Sequence, residues 1–510
     1  MPKNQEAANR RLVRNSFFSI FAWFFPLVVG FVATPILVRG LGNENYGILA
    51  LITGFVSYSF TFGIGKVVAK FIPEYRSSGE SDKVGEVISA TFWFSISIGI
   101  AGFSLLAVFA RLVVVDFLRI SAESQETAII ALYIAALIGL ATLISQIFQY
   151  AIQGLHRFDI YVVLTNLYGF LLGAGNILLV YLGYGIVALL WWNLAVMVSI
   201  GAMFFVASYR LLPEFSLKIR IRRDIFASVV RYGGNIIITQ IFANVLYIFE
   251  RSWVTRKFGA EAVTFYTVPM LLGIYLHSLI ASFVQVLFPI VNELLRDKDR
   301  IVVLYHRATK IVIAVIFFVV STYVASGKLF LTYWLNADLA EQSYHLLAIH
   351  GLSFGLIAAL IISLQLAEAF RFSSLGAIVS GTWMIIAVPA MILTADRWGT
   401  MGVAISRLSA AVITIPVIFL VERMFLHKIF VAFWLSTLGR IALATISGVA
   451  VQIGIASEMP ASRISFLAAV GVSGVVFVAV LLLTGYLNPA DREILLRMVR
   501  RTNNPGAEVV

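Results

Sequence analysis

Uncharged, apolar runs of 17 to 29 residues recur along the whole chain, separated by short polar segments. A helix needs about 20 such residues to cross the hydrocarbon layer of a bilayer. The runs cover residues 15–38, 45–65, 87–110, 127–149, 161–181, 185–207, 232–249, 262–290, 311–327, 342–367, 374–395, 401–421, 429–456 and 464–486, and they predict fourteen membrane-spanning helices. The twelfth and the thirteenth are each interrupted once, by Arg407 and Arg440. None alternates apolar and polar positions as the roughly ten-residue strand of a membrane barrel does. A helix satisfies all its backbone hydrogen bonds within one segment, which hydrocarbon demands. The expected fold is therefore an all-α membrane protein.

Composition agrees. Of 510 residues, 60% are apolar and 13% charged, with a mean hydropathy of +0.94. A soluble fold could not hide that much apolar surface. With no cysteine, disulfides, thiol catalysis and cysteine–metal sites are excluded. The run from Asn15 to Val38 lacks a small-residue cleavage site and exceeds a signal-peptide core, so it reads as a retained first span. The net charge of +12 raises the question of a nucleic-acid partner. Its distribution answers against one. With the N-terminus inside, 27 Lys and Arg fall on the inner segments and nine on the outer ones, while Arg407 and Arg440 lie within spans. That excess on one side orients a membrane protein. It predicts an even number of spans with both termini in the cytoplasm. No loop is long enough for a soluble domain, and no nucleotide, metal or catalytic-acid motif stands out, so a transporter is expected rather than an enzyme, with no cofactor.

An internal repeat organises the spans. Thr255-Arg256-Lys257-Phe258-Gly259-Ala260-Glu261 loosely repeats Val38-Arg39-Gly40-Leu41-Gly42-Asn43-Glu44, its Gly and Glu displaced by 217 positions. At the same offset Asp82-Lys83 maps to Asp299-Arg300, Arg14 to Arg231 and Gly185 to Gly402. The landmarks follow the same ordinal spans in each half. They predict two six-helix bundles in parallel orientation, residues 1–207 and 232–421, joined by a cytoplasmic linker at 208–231 and followed by two further helices and a tail at 422–510. Parallel repeats are a recurrent transporter design, with the substrate path between halves that rock against each other.

The segment Pro35-Ile36-Leu37-Val38-Arg39-Gly40-Leu41-Gly42-Asn43-Glu44-Asn45-Tyr46-Gly47 resembles the end of the first span in the oligosaccharide flippase (polysaccharide transporter) family of the multidrug/oligosaccharidyl-lipid/polysaccharide superfamily. Phe62-Gly63-Ile64-Gly65, Phe71-Ile72-Pro73-Glu74-Tyr75-Arg76 and Gln153-Gly154-Leu155-His156-Arg157-Phe158-Asp159 extend the likeness. Thr61 stands where such proteins often carry an acid, and Glu250-Arg251 where they often carry Asp-Arg. The resemblance implies a flippase in the cytoplasmic membrane that moves an oligosaccharide on a polyprenyl diphosphate to the outer leaflet. H⁺ or Na⁺ is the implied coupling ion. Membrane lipid and glycan-assembly proteins are further implied partners. Related alternatives are a multidrug exporter and a peptidoglycan-precursor flippase; a glycan polymerase is the alternative of another class.

A polar, anionic head needs a hydrated cationic path, because charge and hydroxyls lose water in hydrocarbon. Arg14 and Arg231, at the inner mouths of spans 1 and 7, are candidate diphosphate contacts, since Arg grips phosphate through paired hydrogen bonds. Lys66, Arg251 and Arg407 are further candidates. Glu250 and Glu368 are candidate ion-coupling acids. Each has a plainer reading: interfacial anchoring for the bases, snorkelling for Lys66, a local pair with Arg371 for Glu368. Residues deep in spans are functional candidates by default. That applies to Arg407 and more weakly to Arg440. His277 and His350 read as hydrogen-bonded structural residues.

Overall fold

A computed structural model describes residues 24–60, 63–219, 222–284, 291, 297–370, 372, 374–459 and 462–486. Its elements are helices, with no strand among the described residues. They are α1 (Phe24–Leu41), α2 (Asn43–Phe60), α3 (Lys66–Ser77), α4 (Asp82–Arg111, prolonged by a π-helical turn at Leu112–Phe117), α5 (Gln125–Gly154), α6 (Phe158–Tyr181), α7 (Ile186–Leu211), α8 (Arg223–Phe258), α9 (Ala260–Val284), α10 (Lys298–Trp334), α11 (Ala337–Ala369), α12 (Leu375–Ala411), α13 (Thr414–Phe425), α14 (Val431–Glu458) and α15 (Arg463–Leu483). Among the described residues, eleven helical stretches are long and apolar enough to cross a membrane. One of them, Leu375–Phe425, contains both the eleventh and the twelfth apolar runs. Gly399, at φ 60°, breaks it between them. Helices α2 and α8 overlap the second and seventh runs.

Two elements differ from the hydropathy reading for clear reasons. The predicted inner loop at 66–86 contains α3, which is amphipathic and buries Val67, Val68, Phe71 and Ile72. A run criterion passes over such a helix because Lys66, Lys70, Glu74 and Arg76 interrupt it. The seventh run stops at the charges of Glu250-Arg251, whereas α8 continues to Phe258. What ends it is Gly259, whose φ of 86° suits a residue without a Cβ. Gly42, its counterpart in the repeat, has a φ of 77° at the same kind of junction. The two junctions touch. Asn43 Nδ2 donates to Glu261 Oε1 (3.2 Å), and Thr264 Oγ1 donates to the Asn43 carbonyl (2.6 Å). A Cβ on Gly47 would collide with the Ala260 carbonyl, so the Tyr-Gly ending of the first motif lets α2 approach α9 closely.

The chain forms two compact units. The first comprises Met1–Leu271 and Ser374–Ala410. Its α5 packs on α2, α3, α4 and α7. Ile64, Val67, Phe71, Val87, Ile225 and Val229 form a buried cluster joining α3, α4 and α8. The linker that follows α7 is strapped down: Ser89 Oγ donates to the Ser216 carbonyl (2.7 Å) and Trp93 Nε1 to that of Lys218 (3.1 Å). Arg76 pairs with Glu214 (2.8 Å).

The second unit comprises Leu272–Ser373 and Ala411–Val510. Here α10 packs on α11 and α14, and α14 on α15. Gln452 holds three helices together. It accepts from Ser326 Oγ (2.8 Å) and donates to Ser473 Oγ (2.9 Å) and Thr322 Oγ1 (3.2 Å). Such interhelical polar bonds take the place of the hydrophobic drive that lipid removes. Glu422, fully buried near the end of α13, accepts from Tyr305 OH (3.0 Å), Trp434 Nε1 (2.7 Å) and the Phe430 backbone N–H (3.0 Å).

Candidate functional site

The densest polar cluster of the first unit is built from α8, α9, α12 and α2. On α8, Tyr247, Glu250, Arg251 and Val254 are spaced three and four apart, so they share one face. On α12 the chain doubles back at Gly399. Thr394 and Ser406 hydroxyls lie 3.0 Å apart, and a Cβ on Gly402 would meet the Thr394 carbonyl at 2.6 Å. The return segment carries Arg407 inward.

There Arg407 meets Glu250. Arg407 Nε donates to both carboxylate oxygens, at 2.9 and 2.8 Å, and Nη2 donates to Oε2. Tyr266 OH donates to Oε1. The side chains are 3% and 0% exposed. A charge buried so deeply is tolerable only when paired and hydrogen-bonded.

An aromatic ladder runs from this pair. The Arg407 guanidinium lies 4.7 Å from the Tyr247 ring centre. Tyr247 stacks on Tyr58, with centroids 4.9 Å apart and planes 11° from parallel. Arg251 sits over Tyr58 at 5.3 Å. Cations on ring faces gain from the ring quadrupole. Asn244 Nδ2 fastens the Tyr58 carbonyl (2.8 Å). The Arg251 guanidinium occupies the bare face of Gly54, where a Cβ would collide with it. Its Nε is buried with no hydrogen-bond partner among the described residues. Among the described residues the cluster sets two guanidinium charges against one carboxylate, and Arg251 is the one outside the ion pair.

The sequence-predicted residues thus divide. Glu250, Arg251 and Arg407 come together. Lys66, the first residue of α3, is exposed, as are Arg231 on α8 and Glu368 at the end of α11. Arg14 and Arg371 lie outside the described residues. Arg440 Nη1 donates to the Gly485 carbonyl (2.9 Å), tying α14 to the end of α15. His350 is buried on α11. Sequence reasoning missed Tyr58, Tyr247 and Tyr266, because a tyrosine inside an apolar run looks like core. The available signal was spacing: Tyr247 lies three positions before Glu250.

Outside the spans, burial pushes the Glu214 carboxyl up, but the hydrogen bond from Arg76 and local backbone donors outweigh it and hold the group below its ordinary value.

Residues 12–295 match the family described as polysaccharide biosynthesis protein. A Shigella flexneri protein named "Putative O-antigen transporter" is 21% identical over 403 residues, covering 78% of this chain and 94% of the relative. Among solved structures, the lipid II flippase MurJ in an inward closed conformation aligns with a TM-score of 0.74 at 13% identity, covering 92% of this chain and 99% of that one. An inward-facing multidrug resistance transporter of the MATE family aligns with a TM-score of 0.65 at 15% identity, over 80% and 99%. These likenesses concern the fold. The matched stretch covers more than half of the 510 residues, including all of α2 to α9. The chain is a multi-pass membrane protein that belongs to the polysaccharide biosynthesis protein family.

Proposed function

We propose that this protein flips a polyprenyl-diphosphate-linked oligosaccharide from the inner to the outer leaflet of the cytoplasmic membrane. The observation that carries the reading is the half-buried cation at Arg251, beside the Glu250–Arg407 ion pair. A half-buried guanidinium with an unpartnered Nε favours an anion, and a diphosphate matches its forked donors. A site of this sign disfavours the cationic cargo of a multidrug exporter. Family membership and the name borne by the Shigella relative support the glycan side of the reading.

Fourteen spans arranged as six, six and two, with both termini inside, complete the proposal. The inner excess of Lys and Arg supports the orientation. The shared left-handed glycines at Gly42 and Gly259 support the repeat. Alternating access of the two sixfold halves would move the head, and the lipid tail stays in the bilayer. By their places in the sequence, Arg14, Arg231 and Lys66 are assigned to an inner basic mouth that first meets the diphosphate, and Glu368 is assigned as a second acid on that side.

Coupling to an ion gradient follows from competition. While Glu250 is ionised, it occupies the Arg407 guanidinium. A proton or Na⁺ on Glu250 frees Arg407 for substrate phosphate, and phosphate on Arg407 frees Glu250 for the ion. Reconstituted protein should therefore move a fluorescent lipid-linked oligosaccharide across vesicles, faster under an imposed gradient. If glycan length changes without translocation, the polymerase alternative holds instead.

A further inference from the structure

The first unit contains two adjoining cavities, of about 320 and 280 Å³, that share Ile138 and Tyr168 in their walls. They lie among α2, α5, α6 and α7. Among the described residues, no Asp, Glu, Lys, Arg or His lines either one. Their polar wall is built of amides, phenols and threonine hydroxyls. Three buried amide oxygens, Gln146 Oε1, Asn176 Oδ1 and Asn193 Oδ1, have no hydrogen-bond partner among the described residues. Gln146 is 8% exposed and Asn176 6%. Gln146 stands in the wall of the larger cavity and Asn176 and Asn193 in that of the smaller; buried polar atoms are almost always satisfied, so three such oxygens in adjoining walls call for a donor from a ligand or ordered water. All three are acceptors, and they ask for donors.

On the flippase reading, from which this step proceeds, we infer that the chamber holds a neutral sugar of the oligosaccharide head. Sugar hydroxyls supply the missing donors, and the rings of Tyr161 and Tyr168 offer flat faces to a pyranose. Each cavity is near the lower end of the roughly 300–1,000 Å³ that small-molecule sites occupy. The lack of any carboxylate argues against a bound cation, whose charge would stay uncompensated there. Helix α2 separates this chamber from the cationic cluster. Tyr46, Leu49, Ala50 and Thr53 line the chamber at i, i+3, i+4 and i+7, whereas Gly54 and Tyr58 meet Arg251. Neutral and anionic parts of one head group are thus given different faces of a single helix.

Two probes in detergent test this: polyprenyl diphosphate bearing the oligosaccharide, and bare polyprenyl diphosphate. Asn176→Leu with Asn193→Leu should weaken the glycan-bearing probe at least tenfold and the bare one less than twofold. Ile138→Phe fills the chamber from its apolar wall, leaves every amide in place and should give the same selectivity, so a misfolded double variant does not end the test. Equal loss for both probes, or no loss for either in variants that stay monodisperse, would overturn the inference and assign the chamber to structural water. A wild-type protein that binds neither probe would sink the flippase reading along with it.

Discussion

Each unit buries a glutamate completely, and the two are satisfied in different ways. Glu250 in the first unit is met by a guanidinium and a phenol, and a second guanidinium, Arg251, lies at the other end of the tyrosine ladder. Glu422 in the second unit is met by a phenol, an indole and a backbone N–H, all neutral. Trp434 Nε1 and the Phe430 N–H can only donate, so they require an acceptor where Glu422 stands. Those bonds fasten the end of α13 to the start of α14 and to α10. The Glu422 site is closed upon itself, with every partner on the protein. The Glu250 site leaves a cation unspent. The two acids are thus equally buried and differ in the charge of the groups around them.

Single removals test that difference most severely. Arg407→Ala leaves Glu250 buried without its cation and should destabilise the protein by about 3–5 kcal/mol, read as thermal unfolding in detergent. Glu250→Gln with Arg407→Met removes both charges and should recover most of that loss without recovering translocation. Should translocation return with stability, the pair is structural like Glu422. Of comparable size, Glu422→Ala strands up to three donors, at about 1–3 kcal/mol each. Molecules that remain folded should still bind the lipid-linked substrate as the wild type does. Arg251→Gln should shift stability by less than about 1 kcal/mol, since no ion pair breaks. Gly54→Ala should lower translocation while leaving Arg251 in the chain, because the new Cβ takes the space of its guanidinium. Arg14→Ala with Arg231→Ala should slow translocation without loss of protein, and normal rates in that double variant would remove the inner mouth from the account.

The smallest expected effect is a pH one. Glu214, held below its ordinary value by Arg76, contributes stability that is fully present above the unfolded carboxylate pKa of about 4.3. It is lost as the pH falls through the lower folded value. The pair is partly exposed, so its worth is under about 1 kcal/mol. Arg76→Gln should flatten unfolding between neutral and acidic pH by that amount, and an unchanged profile would show that the strap rests on Ser89 and Trp93 alone.

The helices were legible because a bilayer imposes a length, and hydropathy reports length directly. Charges were read less well. Glu250-Arg251 marked the end of a span on paper, yet they sit inside α8, because Arg407, 157 positions on, shields the acid. Nothing local in a sequence announces such a partner. Glu422 fell in a predicted inner segment for the same reason, its three donors being contributed by two other helices and a turn. The tyrosine ladder was hidden by chemistry: a phenol inside an apolar run is equally at home in a core or under a cation. Gly42 and Gly259, by contrast, were marked in the sequence by their shared offset, and both adopt left-handed conformations that few other residues tolerate.

Whether Arg251 serves the cargo is decided by translocation of a lipid-linked oligosaccharide in vesicles containing wild type, Arg251→Gln or Glu422→Gln. Arg251→Gln should lose at least tenfold at near-wild-type stability, with Glu422→Gln retaining its rate per folded molecule. Undiminished translocation by Arg251→Gln would contradict that role.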